Sequence, residues 1–81
     1  MKYTVYSMKD DLNGFMNFFP EVSDEVAIRG FNHALACADP NSLFFTNPAD
    51  YSLYAIGTFD TDSGAIEAYP ALKFLVRGEK R

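Results

Sequence analysis

The clearest hydrophobic periodicity in the chain predicts one amphipathic helix. Apolar residues recur there at intervals of three and four and form a single stripe: Ile28, Phe31, Leu35 and Ala38. Ser23 or Asp24 can cap the N-terminus, where an acidic side chain also suits the helix dipole. Pro40 ends the helix, because the residue before a proline is pushed out of helical geometry. A helix of about four turns is therefore expected after residue 23.

Runs of strand-forming residues on both sides of this helix predict several short β-strands. They cover residues 2–9, 43–46, 53–59 and 65–69. The sequence Asp-Thr-Asp-Ser-Gly at residues 60–64 is typical of a hairpin turn between the last two runs. Residues 72–77 alternate as a final strand would, although Pro70 and Gly78 would also suit a short helix. Residues 15–20 follow an Asn-Gly turn and are predicted to form an aromatic loop.

The order of these elements indicates an α+β fold with a small antiparallel or mixed sheet. A β-α-β-β-β arrangement with one helix packed on the sheet follows from the predicted order. The 81 residues fit a single domain, 1–81, and a hydrophobic fraction of 48% supplies enough apolar side chains for a core. The apolar runs are far too short to span a membrane, and no apolar signal segment follows Met1. We expect a soluble protein that is not exported.

Charge is distributed unevenly along the chain. The net charge is −4, a sign that opposes binding to nucleic acid phosphates. Ten of the eleven acidic residues lie between Asp10 and Glu67, where Arg29 is the only base. The other bases lie near the two chain ends. If the terminal segments are neighbours in one sheet, these bases form a small basic edge on an acidic body; otherwise they are ordinary solvated charges.

Candidate catalytic and metal-binding residues are few. His33 and Cys37 lie one helical turn apart, as two metal ligands can, but the chain has no other histidine or cysteine to complete a site. Residues 60–71 lack the glycine and glutamate positions of an EF-hand loop. No nucleophile motif or phosphate-binding loop is present. We therefore predict a protein that is not an enzyme and has no cofactor and no metal.

Aromatic residues are the more informative feature. The predicted aromatic loop holds Phe15, Phe18 and Phe19, which we interpret as a candidate interface, although most rings in so small a domain must be core. Exposed rings can also stack on nucleic acid bases. The many aromatics and the available sheet edges predict a homo-oligomer.

Nearly the whole chain resembles the small nonstructural protein of gokushovirus-type microviruses, which are single-stranded DNA phages. The resemblance is carried by residues 1–6 (MKYTVY), 14–16 (GFM), 26–34 (VAIRGFNHA), 43–51 (LFFTNPADY) and 53–64 (LYAIGTFDTDSG). It implies a phage-encoded, non-capsid protein that acts in the host cytoplasm. It also implies a role in genome replication or packaging, but it identifies no binding residues.

Two functional hypotheses follow. In the first, the protein is an accessory factor that binds single-stranded DNA or viral and host replication proteins. Its phosphate-binding residues would then be Lys2, Lys9, Arg29, Lys73, Arg77, Lys80 and Arg81. In the second, it is a protein–protein adaptor or host-modulating factor that does not touch nucleic acid. The sequence leaves open whether DNA is contacted directly.

Overall fold

A computed structural model describes residues 1–80 and contains a four-stranded antiparallel sheet with one long helix. The strands are β1 (Lys2–Asp10), β2 (Gly14–Glu21), β3 (Tyr51–Asp60) and β4 (Ile66–Arg77). The helices are α1 (Asp24–Ala36) and the single turn α2 (Leu43–Thr46), which a 3-10 turn (Pro48–Asp50) follows. The strand order across the sheet is β2-β1-β3-β4. The predicted α+β class, with one helix on a small sheet, is confirmed.

The predicted aromatic loop is in fact a strand. Residues 14–21 form β2, which pairs antiparallel with β1 after the turn at residues 11–13. Gly14 has a φ of 90°, which glycine adopts without steric cost and which begins the new strand. Because β2 lies at the edge of the sheet, Pro20 is tolerated there despite its missing N–H.

Two further elements differ from the sequence prediction. Residues 43–46 form a helical turn and not a strand, because the Ser42 hydroxyl accepts a hydrogen bond from the Phe45 N–H and caps it. The two predicted strands at 65–69 and 72–77 are one long strand, β4. Its register jumps between residues 68 and 73, so Pro70 lies in a bulge and does not end the strand. The alternative of a helix at 71–77 is thereby excluded.

The helix α1 covers one face of the sheet. Ser23 caps it by accepting a hydrogen bond from the Val26 N–H, as predicted. The apolar stripe is buried against β1 and β3, and together they form the core: Tyr6, Ala27, Phe31, Leu35, Tyr51, Leu53 and Ala55. No helix of the described residues is long and apolar enough to cross a membrane.

A hydrogen-bonded trio fastens the start of α1 to the sheet. The buried Tyr6 hydroxyl donates to one oxygen of Asp24 at 2.7 Å, and the Lys73 ammonium donates to the other at 2.8 Å. The hydrogen bond from Lys73 and, to a smaller extent, the one from Tyr6 hold the pKa of Asp24 below its usual range. Burial, and then the bond to Asp24, raises the pKa of Tyr6. The helix N-terminus is therefore tied to both β1 and β4.

Candidate binding surface

The face of the sheet opposite α1 is rich in exposed apolar side chains. We call it the open face, and the strand positions on that side include Val5, Ser7, Lys9, Phe15, Phe18, Ser52, Tyr54, Ile56, Ile66, Ala68, Phe74 and Arg77. Four of its large apolar side chains are between 45% and 64% exposed: Phe15, Phe18, Ile66 and Phe74. Contiguous exposed apolar patches are typical of interaction surfaces, so this face is the candidate binding surface.

Three aromatic rings lie side by side at one end of the open face. The Phe15 and Tyr54 ring centroids are 5.3 Å apart, and those of Tyr54 and Phe74 are 5.6 Å apart, both pairs edge to face. Strand register explains the row, because Phe15 pairs with Lys9 on β1 and Phe74 pairs with Tyr54 on β3. The Lys9 ammonium lies 5.6 Å from the Phe15 centroid and 5.9 Å from that of Tyr54. This row is the aromatic end of the face.

The other end of the open face carries an apolar groove of about 110 Å³. Its lining includes Val5, Phe18, Ile56 and Ile66. Gly57 lies beneath the groove, where β3 and β4 approach so closely that a Cβ would overlap the Glu67 carbonyl. Because Gly57 has no side chain, the floor of the groove is not filled at this point. We call this region the groove end.

The charged side chains of the open face are both basic and lie in one row at the aromatic end. Lys9 pairs with Ser52, which pairs in turn with Arg77 across the sheet. Arg77 donates to Asp11 and to the Ala49 carbonyl, both at 2.7 Å. Lys9 forms no salt bridge with any residue of the described chain. The hydrogen bond from Arg77 holds the pKa of Asp11 below its usual range.

Between these two cations the Ser52 hydroxyl is fully buried. It has no hydrogen-bond partner within residues 1–80. The other buried serine of this face, Ser7, donates to the Met16 carbonyl at 2.9 Å and seals the bulge in β2. An unsatisfied buried hydroxyl lowers the folding stability by about 1–3 kcal/mol. Ser52 is therefore expected to be less favourable for stability than Ser7.

The structure does not gather the predicted basic residues into one edge. Lys73 lies on the covered side, bound to Asp24, and Lys2 is at the far end of β1 opposite Asp60. Arg29 is exposed on α1, and Lys80 lines a cavity beside that helix. Arg81 lies outside the described residues. Because β3 separates β1 from β4 and side chains alternate between faces, Lys9 and Arg77 are the only two of the predicted bases within residues 1–80 that share a row.

The predicted aromatic interface is divided between the two faces. Phe15 and Phe18 belong to the open face, whereas Phe19 is half-buried on the covered side, 5.9 Å from the Tyr6 ring centroid. Sequence reasoning missed Phe74 and Ile66 as members of the same surface. The alternation of Lys73 and Phe74 was the available signal, but it identifies a face only once the register of β4 is known.

The other candidate sites have simple structural surroundings. The Cys37 sulfur lies 3.7 Å from His33 Nδ1 on an exposed side of α1. Within residues 1–80 no three His, Cys, Asp or Glu side chains are placed to hold a metal ion. Asp60 accepts the Asp62 N–H and so organises the hairpin turn, which lowers the pKa of Asp60.

Comparison with known proteins identifies a family. A family model described as phage ORF5 protein matches residues 3–80. No curated protein and no solved structure matches the chain. The family match supports the expectation of a phage protein. The chain belongs to the phage ORF5 protein family.

Proposed function

We propose that this phage protein is a non-enzymatic accessory factor in the replication or packaging of a single-stranded DNA genome. It acts in the host cytoplasm and binds single-stranded DNA at the aromatic end of its open face. The observation that carries the proposal is the row of Phe15, Tyr54 and Phe74 with the Lys9 ammonium beside it. Sequence-independent binders of single strands combine such rings with cations that follow the backbone.

The chemistry of the row suits nucleotides. Bases stack on exposed rings, at roughly 1–3 kcal/mol per base, and Phe15 and Phe74 have exposed ring surface. Lys9 is free to meet a phosphate, and Arg77 can do so if it leaves Asp11. The strand positions of the open face carry no acidic side chain, but Asp11, in the turn beside them, is ion-paired with Arg77 at 2.7 Å. Stacking, and not charge, should therefore dominate affinity.

A titration of labelled oligothymidine at two salt concentrations tests this proposal. Two phosphate contacts predict a shallow slope of about −1.4 in log K against log salt concentration. Phe74→Ala should weaken binding by about tenfold, in line with the loss of one stacked base. Leu43→Ala, which truncates an apolar residue on α2 that is also more than half exposed, is the control and should bind normally. No binding by the wild type at low salt rejects the proposal.

The charged contact has its own control. Lys9→Ala should weaken binding and flatten the salt slope by about 0.7, because one phosphate contact is lost. Arg29→Ala removes the same charge from the exposed surface of α1, on the other side of the sheet, and should leave both affinity and slope unchanged. Equal effects of the two variants would show that DNA, if bound, does not use the open face.

A protein–protein adaptor is the second candidate, and the groove end favours it. Its apolar lining suits a side chain of a protein partner better than a phosphodiester backbone. On this hypothesis, a tagged protein recovers one specific partner from infected host lysate after nuclease treatment, and Ile66→Glu abolishes that recovery. Viral or host replication proteins are the expected class. If nuclease treatment abolishes recovery of the partner, the result favours the DNA-binding proposal instead.

A further inference from the structure

We infer that Ser52, with Lys9 and Arg77 on either side of it, forms a phosphate-binding subsite of the open face. The subsite rests on the proposed function and deepens it, because it names the group that positions the DNA backbone. The Ser52 hydroxyl donates a hydrogen bond to an oxygen of a phosphodiester. The observation that carries the inference is that this hydroxyl is fully buried between two cationic side chains and has no hydrogen-bond partner within residues 1–80.

A serine at position 52 is unfavourable for the free protein. A buried hydroxyl without a hydrogen bond lowers the stability, and native structures contain few such groups. Alanine would fill nearly the same space without this penalty. The other buried serine of the open face, Ser7, donates to the Met16 carbonyl at 2.9 Å, so its hydroxyl has a structural use. The hydroxyl of Ser52 has none in the described chain, which points to a contact made by a ligand.

The strand register gathers three hydrogen-bond donors at this position. Lys9 pairs with Ser52 on one side, and Arg77 pairs with it on the other. Residues directly opposite each other on antiparallel strands have Cβ atoms about 4.5–5.5 Å apart, so both cationic side chains begin beside the hydroxyl. The ammonium and guanidinium groups have donors and no acceptor. Such a set of donors suits an anionic oxygen.

Net charge does not by itself attract a phosphate to this position. Asp11 is ion-paired with Arg77 at 2.7 Å, and Asp10 and Asp50 lie nearby, at the end of β1 and in the 3-10 turn before β3. These acids offset the two bases. Affinity for a phosphate must therefore come from directed hydrogen bonds, which are strong when the acceptor is charged and water is excluded. A buried hydroxyl provides such a bond.

A phosphate reaches the hydroxyl when the flanking side chains move. Lys9 is half-buried and forms no salt bridge with any described residue. The side chains of Arg77 and Asp11 are 45% and 42% exposed, and an ion pair so accessible to water contributes little to stability. A phosphate that draws Lys9 and Arg77 towards itself therefore uncovers Ser52 between them.

The subsite adjoins the aromatic end of the open face. Tyr54 and Phe74 are the next open-face pair along β3 and β4 after Ser52 and Arg77. Ser52 and Tyr54 are two residues apart on one strand, a distance of about 6–7 Å. A base stacked on the Tyr54 and Phe74 rings thus has its own phosphate within reach of Ser52. The bases occupy the rings, and the backbone follows the donors.

Two alanine variants test the subsite with labelled oligothymidine that carries no terminal phosphate. Ser52→Ala should raise the dissociation constant by about tenfold or more, because a hydrogen bond to a charged group is lost. The salt slope should not change, because no charge is removed. Ser7→Ala truncates the other buried serine, which is bonded within the sheet, and should bind nearly as the wild type does. A loss of affinity no greater in Ser52→Ala than in Ser7→Ala overturns the inference.

Asp11→Asn tests the role of Arg77. The variant removes the carboxylate that competes with phosphate for this guanidinium. It should tighten binding several-fold and steepen the salt slope by about 0.7, because one more phosphate contact forms. Glu25→Gln removes the same charge from the exposed surface of α1 and should leave the slope unchanged. Equal slopes in the two variants overturn the assignment of Arg77 to the subsite.

Inorganic phosphate separates the subsite from the proposed function. We expect sodium phosphate, compared with sodium chloride at equal ionic strength, to shift the backbone NMR signals of Lys9, Ser52 and Arg77 in the wild type but not in Ser52→Ala. Phosphate shifts in a protein that binds no oligothymidine support the subsite and remove the proposed function. Oligothymidine bound equally by the wild type and Ser52→Ala does the reverse. A wild type that binds neither ligand overturns both.

Discussion

The same strands build two apolar faces, and only one of them is covered. On the covered face, α1 buries Tyr6, Leu53 and Ala55 almost completely. On the open face, the alternate positions of the outer strands leave Phe18 and Phe74 largely exposed. A chain with one long helix can shield one side of a four-stranded sheet. The apolar residues on the second side therefore remain outside the core that α1 covers, and they form the surface for which we propose a binding role.

The two faces also treat polar groups differently. On the covered side, the Tyr6 hydroxyl and the Lys73 ammonium both donate hydrogen bonds to Asp24. On the open side, the Ser52 hydroxyl has no partner among the described residues, and the Lys9 ammonium lies beside the Phe15 and Tyr54 rings without a salt bridge in the described chain. Buried polar groups in a finished core are normally satisfied. The open face thus leaves a buried hydroxyl without a hydrogen bond among the described residues, whereas the Tyr6 hydroxyl on the covered face has one.

The sharpest test of this contrast is one substitution made on each face. Phe31→Ala opens a cavity under α1 and should lower the free energy of unfolding by about 3–5 kcal/mol. Phe18→Ala makes the same truncation on the open face and should change it by no more than about 0.5 kcal/mol. Urea titrations of the two variants measure both changes. Equal losses would mean that the open face is part of the monomer's core.

A second test concerns the fastening of α1. Asp24→Ala leaves the buried Tyr6 hydroxyl without its acceptor and should cost about 1–3 kcal/mol. Because the folded-state pKa of Asp24 is lowered, its ionised form contributes stability above the unfolded pKa of about 3.9. That contribution is lost as the pH falls through the lower folded-state pKa. Asp24→Asn should therefore lose less stability than the wild type between pH 7 and pH 3.

Equal pH dependence in Asp24→Asn and in the wild type would contradict the role of this carboxylate. Asp11 and Asp60, whose pKa values are also lowered, remain in both proteins and cancel in the comparison. Guanidinium titrations at the two pH values provide the measurement.

The groove end can be tested through its glycine. Gly57→Ala directs a Cβ at the Glu67 carbonyl and should destabilise the sheet by about 1–3 kcal/mol. Gly30→Ala is the matched control, because a Cβ there enters open space on α1 and should stabilise the helix by up to about 1 kcal/mol. Thermal unfolding of both variants should show shifts of opposite sign. Unchanged stability in Gly57→Ala would show that the two strands separate easily.

The smallest expected effects distinguish the two buried serines of the open face. Ser7→Ala removes a hydroxyl that donates to the Met16 carbonyl and should cost about 1 kcal/mol. Ser52→Ala removes a hydroxyl without a partner in the described chain and should leave the stability equal or raise it by about 1 kcal/mol. A clear loss in Ser52→Ala would reveal a bond to this hydroxyl.

Local patterns in the sequence were enough to predict α1, β1 and the hairpin of β3 and β4. Each carries its own signal: a capped apolar stripe after Ser23, a run of strand formers, and the turn at residues 60–64. These signals depend on neighbours within a few residues, and the α+β class follows from their order. The family resemblance likewise anticipated a phage protein.

Tertiary structure decided the rest, because it depends on pairing between distant strands. Residues 15–20 become a strand only by lying beside β1, and the register across three strands brings Phe15, Tyr54 and Phe74 together. The same register sends Lys73 to the covered face and keeps Lys9 on the open one. A shift of one residue reverses the face of every side chain in a strand, so sequence alone determined that the chain has apolar strands but not which surface they expose.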